Sequence, residues 1–129
     1  QLLAEALVRA GSPEQAISRI ETATASARRS GVLIHLSSSH RIVGDAHAAM
    51  GEPSRARASH QQALDVAEDQ GAGLYQFRAV RALARSHVAM GDPSAAQALL
   101  SQAVGRFNGC RELPEYQAAV DSLRERDDP

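Results

Sequence analysis

The chain contains no lysine and no tryptophan, and it has few aromatic and sulfur-containing residues. All 14 basic residues are arginines, so no lysine can serve a Walker-type phosphate loop or a Schiff base. Two tyrosines and two phenylalanines are its only aromatic residues, which leaves few rings to stack on nucleic-acid bases. The single cysteine, Cys110, cannot form an internal disulfide, and no Cys/His spacing typical of a metal site occurs. Although Arg111 beside it can lower a thiol pKa, we interpret Cys110 as incidental, because no base partner is evident.

The chain also lacks a strong net charge and a long apolar run. Its net charge of −1 provides no positive field to attract nucleic acid or an anionic membrane. No apolar run approaches the roughly 18 residues of a membrane-spanning helix. The first residues, Gln1 to Ala6, are typical of an amphipathic helix and not of a signal peptide. We therefore expect a cytoplasmic protein that contacts neither nucleic acid nor membrane directly.

What the sequence has in abundance are small and helix-forming residues. Alanine, leucine, glutamine, glutamate and arginine recur throughout, and these residues favour helix. No segment alternates apolar and polar residues with the period of two that indicates a strand. The sequence therefore predicts an all-α fold.

One phrase recurs along the chain. "MGEPSRA" at 50–56 returns as "MGDPSAA" at 90–96, and a looser copy, "AGSPEQA", stands at 10–16. The glycines of the three phrases, Gly11, Gly51 and Gly91, are spaced 40 residues apart. A fixed period of this size is typical of helical-repeat proteins.

The recurring phrase has the chemistry of a short turn between two antiparallel helices. Glycine supplies the left-handed residue that ends a helix, and proline two residues later suits the first turn of the next helix. Between them, Ser12 and Asp92 are suitable N-caps, and Ser12 with Gln15 predicts a capping box. A second turn is predicted at Gly31 and Gly71.

These turns predict about seven helices in one domain. The helices span about 1–10, 13–30, 33–50, 53–70, 73–90, 93–108 and 114–126. They form repeats over about 1–30, 33–70 and 73–108, followed by a capping helix at 113–126. Because the first helix is shorter than its equivalents, we expect the chain to be a fragment of a longer protein. The apolar edge of that truncated helix, at Leu2, Leu3, Ala6 and Leu7, is predicted to promote self-association.

In this register the chain resembles the tetratricopeptide repeat (TPR) family, in a form with about 40 residues per repeat. The resemblance is carried by small and bulky positions in the second and third units: Val43, Gly44, His47, Gly51, Ala56, His60, Ala63, Leu64, Leu83, Ala84, His87, Gly91, Ala96, Leu100, Ala103 and Val104. It implies a right-handed superhelix of helical hairpins, a solenoid, that binds a protein or peptide. His47, His60 and His87 stand where the family has large apolar residues, and we interpret them as packing residues.

The ending "AVGRFNGCRELPEYQAAVDSLRER" (103–126) resembles the last segment of helical-repeat arms in large bacterial regulators. Those proteins carry an ATPase domain, often with a LuxR-type DNA-binding domain or a class III adenylate/guanylate cyclase. The resemblance implies a non-catalytic arm that serves transcriptional regulation or signalling. Its partners would be another protein or sibling domains of the same full-length chain.

The same resemblance places candidate ligand-binding residues on the concave groove: Arg9, Arg41, Asp45, Arg78, Arg81 and Arg85. Arg78, Arg81 and Arg85 share one helix face, and guanidinium groups can bind carboxylates or phosphates through paired hydrogen bonds. Two interpretations stay open: a site for an acidic peptide or a small anion, or a solvated face whose arginines pair with Asp45 and Glu5.

No cofactor, metal site or catalytic group is predicted. His35, His40 and His47 are spaced by five and seven residues, not by the four of a helical zinc pair. The triplet Ser37–Ser39 lacks the glycine and lysine of a phosphate loop, and we interpret it as a packing or solvent feature. We therefore expect an interaction module and not an enzyme.

Overall fold

A computed structural model of the protein describes residues 2–107 and 111–127. Within them it contains no strand and seven helices: α1 (Leu2–Arg9), α2 (Pro13–Ser30), α3 (Leu36–Ala49), α4 (Pro53–Asp69), α5 (Gly73–Ala89), α6 (Pro93–Arg106) and α7 (Pro114–Asp127). The all-α prediction is confirmed. Among the described residues, no helix combines the length and apolarity needed to cross a membrane. Cys110, for which an incidental thiol was predicted, lies outside this part of the chain.

Glycine ends the helices as the sequence predicts. Five glycines, one at each short turn, adopt the left-handed region with φ between 62° and 82°: Gly11, Gly31, Gly51, Gly71 and Gly91. Residues with a Cβ rarely adopt this conformation, so glycine is needed at these turns. The turns also have the same hydrogen bonds: the backbone carbonyls of His47 and His87 each accept a 2.9 Å hydrogen bond from the backbone N–H five residues later. The two histidines are half-buried at equivalent places.

Helix capping follows the prediction at only one of the two sites. Asp92 caps α6 by accepting a 3.1 Å hydrogen bond from the N–H of Ala95. Ser12 makes no side-chain cap, so the capping box predicted for Ser12 and Gln15 is wrong. Both cap residues have ψ values of 57–71°, short of the extended backbone usual at this position. The aspartate side chain is one atom longer and reaches the N–H, whereas the serine hydroxyl does not.

Helix α3 begins at Leu36, three residues later than predicted. The intervening Val32, Leu33 and Ile34 are apolar yet exposed. The carbonyl of Leu33 accepts one hydrogen bond from the N–H of Leu36 at 3.1 Å and another from the Gln70 side chain at 2.9 Å. These bonds hold the segment as a turn tied to the end of α4, which apolar periodicity alone does not reveal.

The odd-numbered helices form one contiguous layer. Each helix packs against the next along the chain, and α3 also contacts both α1 and α5, while α5 contacts α7. This pattern is what stacked helical hairpins produce. The superhelical handedness and the repeat boundaries implied by the resemblance stay predictions.

Two apolar clusters lie between the helices. The first cluster is small and consists of Ala4, Ala16, Ile20 and Ile42. The second is larger and contains Phe77, whose ring meets Phe107 edge-on at 5.6 Å and Tyr116 at 5.8 Å. Leu2 and Leu3 are 81% and 54% exposed, whereas Leu7 is half-buried against the first cluster. The apolar edge predicted for self-association therefore does not include Leu7, and self-association itself stays a prediction.

Candidate functional site: an arginine-lined cavity

A cavity of about 410 Å³ opens on the layer of odd-numbered helices. We call it the arginine cavity; its lining comes from α1, α3, α5 and α7 and comprises Leu2, Glu5, Ser38, Arg41, Tyr75, Arg78, Arg81, Arg85 and Glu115. Of the six predicted groove residues, the cavity therefore brings four arginines together. Asp45 lies beside them as an ion-pair partner of Arg41 and Arg85. Arg9 does not belong to the group, because it is exposed at the end of α1 and does not line the cavity.

Helix α5 supplies three of the four arginines because its two faces differ in polarity. Phe77, Val80 and Leu83 are buried on the core side. Arg78, Arg81 and Arg85 occupy positions i, i+3 and i+7, which lie on one helix face. The spacing seen in the sequence therefore explains how these side chains converge on one cavity.

Two of the arginines are paired with carboxylates of the protein. Arg41 lies 2.7 Å from Glu5 and 3.2 Å from Asp45, the two local partners that the sequence suggested. Arg78 donates two hydrogen bonds to one oxygen of Glu115, at 3.1 and 3.0 Å. These two guanidinium groups are thus oriented and largely neutralised before any ligand arrives.

Arg81 differs from its neighbours. It is half-buried, yet it makes no hydrogen bond or ion pair with any residue in the described ranges. Burial lowers the pKa of its guanidinium and the charge of Arg85 lowers it further, while Glu115 opposes both effects. Arg85 is more exposed and lies 3.5 Å from Asp45. Within the described ranges, the Arg81 guanidinium therefore keeps N–H donors that an anion can use, although the charge of Glu115 offsets part of its positive charge.

Glu115 supplies negative charge in the same cavity, next to Arg78. Its own backbone N–H, in the first turn of α7, is the main cause that lowers the pKa of its carboxyl group. Burial raises that pKa, and the hydrogen bond and charge of Arg78 lower it, so the net direction is downward. Glu115 therefore stays ionised at neutral pH, and its charge acts on both Arg78 and Arg81.

Asp45 is hydrogen-bonded to a buried histidine, His60. His60 is 2% exposed, its Nε2 is 2.9 Å from Asp45 Oδ1, and its Nδ1 makes a short hydrogen bond with the Ser86 hydroxyl. With Nε2 donating to the carboxylate and Nδ1 accepting from the hydroxyl, all three groups are satisfied by one tautomer. The histidine predicted to be a packing residue thus also positions Asp45.

The sequence contained a signal for this network that the packing interpretation did not use. The residues in register with His60 in the first and third units are Ile20 and Leu100, both apolar and buried. In the same way, Gly44 replaces Ala4 and Ala84. A Cβ at position 44 would overlap the imidazole ring of His60, so the glycine and the histidine form a matched pair.

The Ser86–His60–Asp45 arrangement contains the residue types of a hydrolytic triad, but its setting differs. Ser86 is buried in the last turn of α5, where the backbone N–H groups bond to carbonyls of the preceding turn. Acyl transfer needs an accessible nucleophile and donors for the oxyanion. The arrangement is therefore better suited to holding Asp45 than to attacking a substrate.

The serine triplet has a packing role, as one of the two interpretations expected. All three serines are buried; Ser37 donates a 2.7 Å hydrogen bond to the carbonyl of Ala63, and Ser39 donates to that of His35. Ser38 lines the arginine cavity. No group of three metal-ligating side chains occurs in the part of the chain that the structure describes.

Comparisons with protein-family models, with curated proteins and with solved structures find no match to this chain.

Proposed function

We propose that the chain is a non-catalytic protein-interaction module that binds an acidic segment of its partner on the layer of odd-numbered helices. The observation that carries this proposal is the convergence of four arginines on one cavity, with Arg81 lacking a partner in the described protein. A half-buried guanidinium loses some of its hydrogen bonds to water. Carboxylate and phosphate oxygens replace these bonds best, because they are charged acceptors. Stacked hairpins supply the extended surface on which such segments bind.

A direct test measures binding of a labelled glutamate-rich peptide by fluorescence anisotropy. Reversing two charges, with Arg81→Glu and Arg85→Glu together, is expected to abolish binding, because the cavity then repels carboxylates. Wild-type affinity is expected to fall as salt is added, because the exposed charges around Arg85 are screened.

The matched control is Arg57→Glu. Arg57 is exposed on α4 and does not line the arginine cavity. This variant changes net charge in the same direction but is expected to leave the affinity within about twofold of wild type, as expected for a remote, screened charge. Equal losses in both variants would mean that net charge and not the cavity governs binding.

A second candidate function is sensing of a small anion in the same cavity. It is favoured by the cavity volume of about 410 Å³, which suits a small molecule, and by Arg81, which has no hydrogen-bond or ion-pair partner among the described residues. Citrate at one hundred times its dissociation constant should stabilise the fold by about 2.7 kcal/mol. Arg81→Gln is expected to remove most of this effect in a thermal melt, with Arg57→Gln as the control. Stabilisation by citrate without peptide binding would favour the sensing role over the interaction role.

We further propose that the module is a regulatory arm of a cytoplasmic bacterial ATPase-containing regulator or cyclase, part of a signalling or transcriptional pathway. Support comes from the resemblance of residues 103–126 to such arms, in which a helix begins at a proline. Helix α7 does begin at Pro114, and Tyr116 packs on Phe77. Binding of the chain to an isolated ATPase domain encoded in the same reading frame is expected, and loss of regulation on deleting α7 would support the role. A full-length reading frame without such a domain would contradict it.

A further inference from the structure

A second cavity adjoins the arginine cavity. It has a volume of about 380 Å³, and Arg85 lines both cavities. We call it the apolar cavity, because small apolar side chains dominate its walls: Ala48 from α3, Pro53 and Ala56 from α4, and Ala89 from α5. A ligand anchored in the arginine cavity therefore has a neighbouring apolar space within reach.

The polar groups in the wall of the apolar cavity already have partners. His60 hydrogen-bonds Asp45 through one ring nitrogen and Ser86 through the other. A buried polar group that keeps its hydrogen bonds loses little when an apolar group covers it, whereas an unpaired one is costly. An aliphatic side chain can thus enter beside His60 without leaving its nitrogens unpaired.

At one position of this wall the second repeat unit carries a smaller residue than the other two units. Position 48 is alanine in the second unit, and the residues in register are Val8 and Val88. Val8 is half-buried and packs against the first apolar cluster. The second unit therefore lacks two methyl groups that the other units carry at this position, and Ala48 lines the open space.

We infer that the apolar cavity is a subsite for an aliphatic side chain, and that the ligand is an extended polypeptide segment that carries an acidic residue and an aliphatic one. This inference rests on the proposed function, because the acidic residue is held at Arg81. Measured along the axis of α5, Ser86 is about 7.5 Å and Ala89 about 12 Å beyond Arg81. An extended chain advances about 3.4 Å per residue, so the two ligand residues are separated by about two to four positions.

The test uses labelled peptides of glycine and serine that carry two adjacent glutamates and one leucine three residues later. A companion peptide has alanine in place of leucine. Wild type is expected to bind the leucine peptide about tenfold more tightly, since the leucine buries apolar surface. Ala48→Val gives the second unit the residue of the other units, fills part of the apolar cavity and is expected to remove this preference.

The matched control is Ala49→Val. Ala49 is exposed at the end of α3 and does not line the apolar cavity, so this variant is expected to keep the tenfold preference. Arg81→Gln should weaken both peptides by similar factors and leave their ratio unchanged. Equal affinities of wild type for the two peptides, or an unchanged ratio in Ala48→Val, would overturn the subsite while leaving the arginine cavity supported by the Arg81→Gln result.

If neither peptide binds, the proposed function is wrong and the subsite is tested by itself. The probe is then uncharged N-acetyl-leucine amide at millimolar concentration, with the methyl NMR signals of Ala48, Ala56 and Ala89 as the readout. Saturable shifts of these signals in wild type, with no shift of the Ala56 and Ala89 signals in Ala48→Val, support an aliphatic subsite. Absence of any shift overturns it.

Discussion

The second and third repeat units have the same order of helices and turns, but they carry different residue types at equivalent positions. The third unit places Ala84, Leu100 and Arg85 where the second unit places Gly44, His60 and Asp45. In the third unit these positions give an apolar contact and an exposed cation; in the second they give a buried hydrogen-bond network that ends on a carboxylate. A repeat unit can therefore keep its helix packing while polar residues replace apolar ones at equivalent positions.

Among the substitutions in these two units, we expect Gly44→Ala to destabilise the protein most. The added methyl group overlaps the His60 ring, which cannot move aside without disturbing its hydrogen bonds to Ser86 and Asp45. Overpacking of this kind costs about 1–3 kcal/mol, and the better helix propensity of alanine recovers up to about 1 kcal/mol of that. We expect a net loss of about 2 kcal/mol in the free energy of unfolding, measured by urea denaturation.

The double variant Gly44→Ala with His60→Leu tests whether the packing residues of the third unit can replace those of the second. It installs in the second unit the alanine and leucine that the third unit carries at Ala84 and Leu100, and it removes the clash. Most of the lost stability should return, although Ser86 and Asp45 lose a hydrogen-bond partner. A double variant no more stable than Gly44→Ala alone would show that the two units do not share interchangeable packing.

The next effect comes from the pair Asp45 and Arg85, which occupy the same repeat position. Burial raises the pKa of Asp45, but the hydrogen bond from His60 and the charges of Arg85 and Arg41 outweigh it, so the pKa is lowered. The resulting stabilisation is present above the unfolded carboxyl pKa of about 3.9 and is lost as pH falls through the lower folded value.

Asp45→Asn should therefore cost about 1–2 kcal/mol at pH 7, and the difference from wild type should shrink toward pH 2. Arg85→Gln, at the equivalent and more exposed position, should cost less than about 0.5 kcal/mol at pH 7. Thermal melts across this pH range measure both. A constant difference between Asp45→Asn and wild type at every pH would contradict the positioning role of the carboxylate.

We expect the smallest loss of stability from substitutions at the turns of the first and third units. Asp92→Ala removes the side-chain cap of α6 and is expected to cost about 0.5–1 kcal/mol, whereas Ser12→Ala removes no cap bond and should be close to neutral. Chemical denaturation of the two variants gives the values. Equal losses would mean that Ser12 caps α2 in solution.

The sequence predicted the elements that depend on local chemistry. The glycine turns and the proline starts at Pro53 and Pro93 are fixed by backbone preferences that act within a few residues. The start of α3 was misplaced because the Leu33 carbonyl is held by Gln70, 37 residues away. Such a tertiary hydrogen bond leaves no trace in helical periodicity.

The candidate site was predictable only in part for the same reason. The shared face of Arg78, Arg81 and Arg85 follows from helical spacing, but Glu115 as the partner of Arg78 depends on how α7 packs against α5. Likewise, the link from His60 to Asp45 joins two helices. Register comparison identified the unusual residue, and only the coordinates identified what it binds.

The recurring glycine-closed junction has a consequence for how such a molecule can change in size. Residues 51–90 start at one helix-ending glycine and stop just before the next, since Gly51 and Gly91 both follow a helix and adopt the left-handed conformation. Duplicating this 40-residue cassette would give each new helix the same exit and entry as its template. Gene-level expansion could therefore lengthen the protein in whole steps, and one copy could diverge in its ligand chemistry while the others preserve the scaffold.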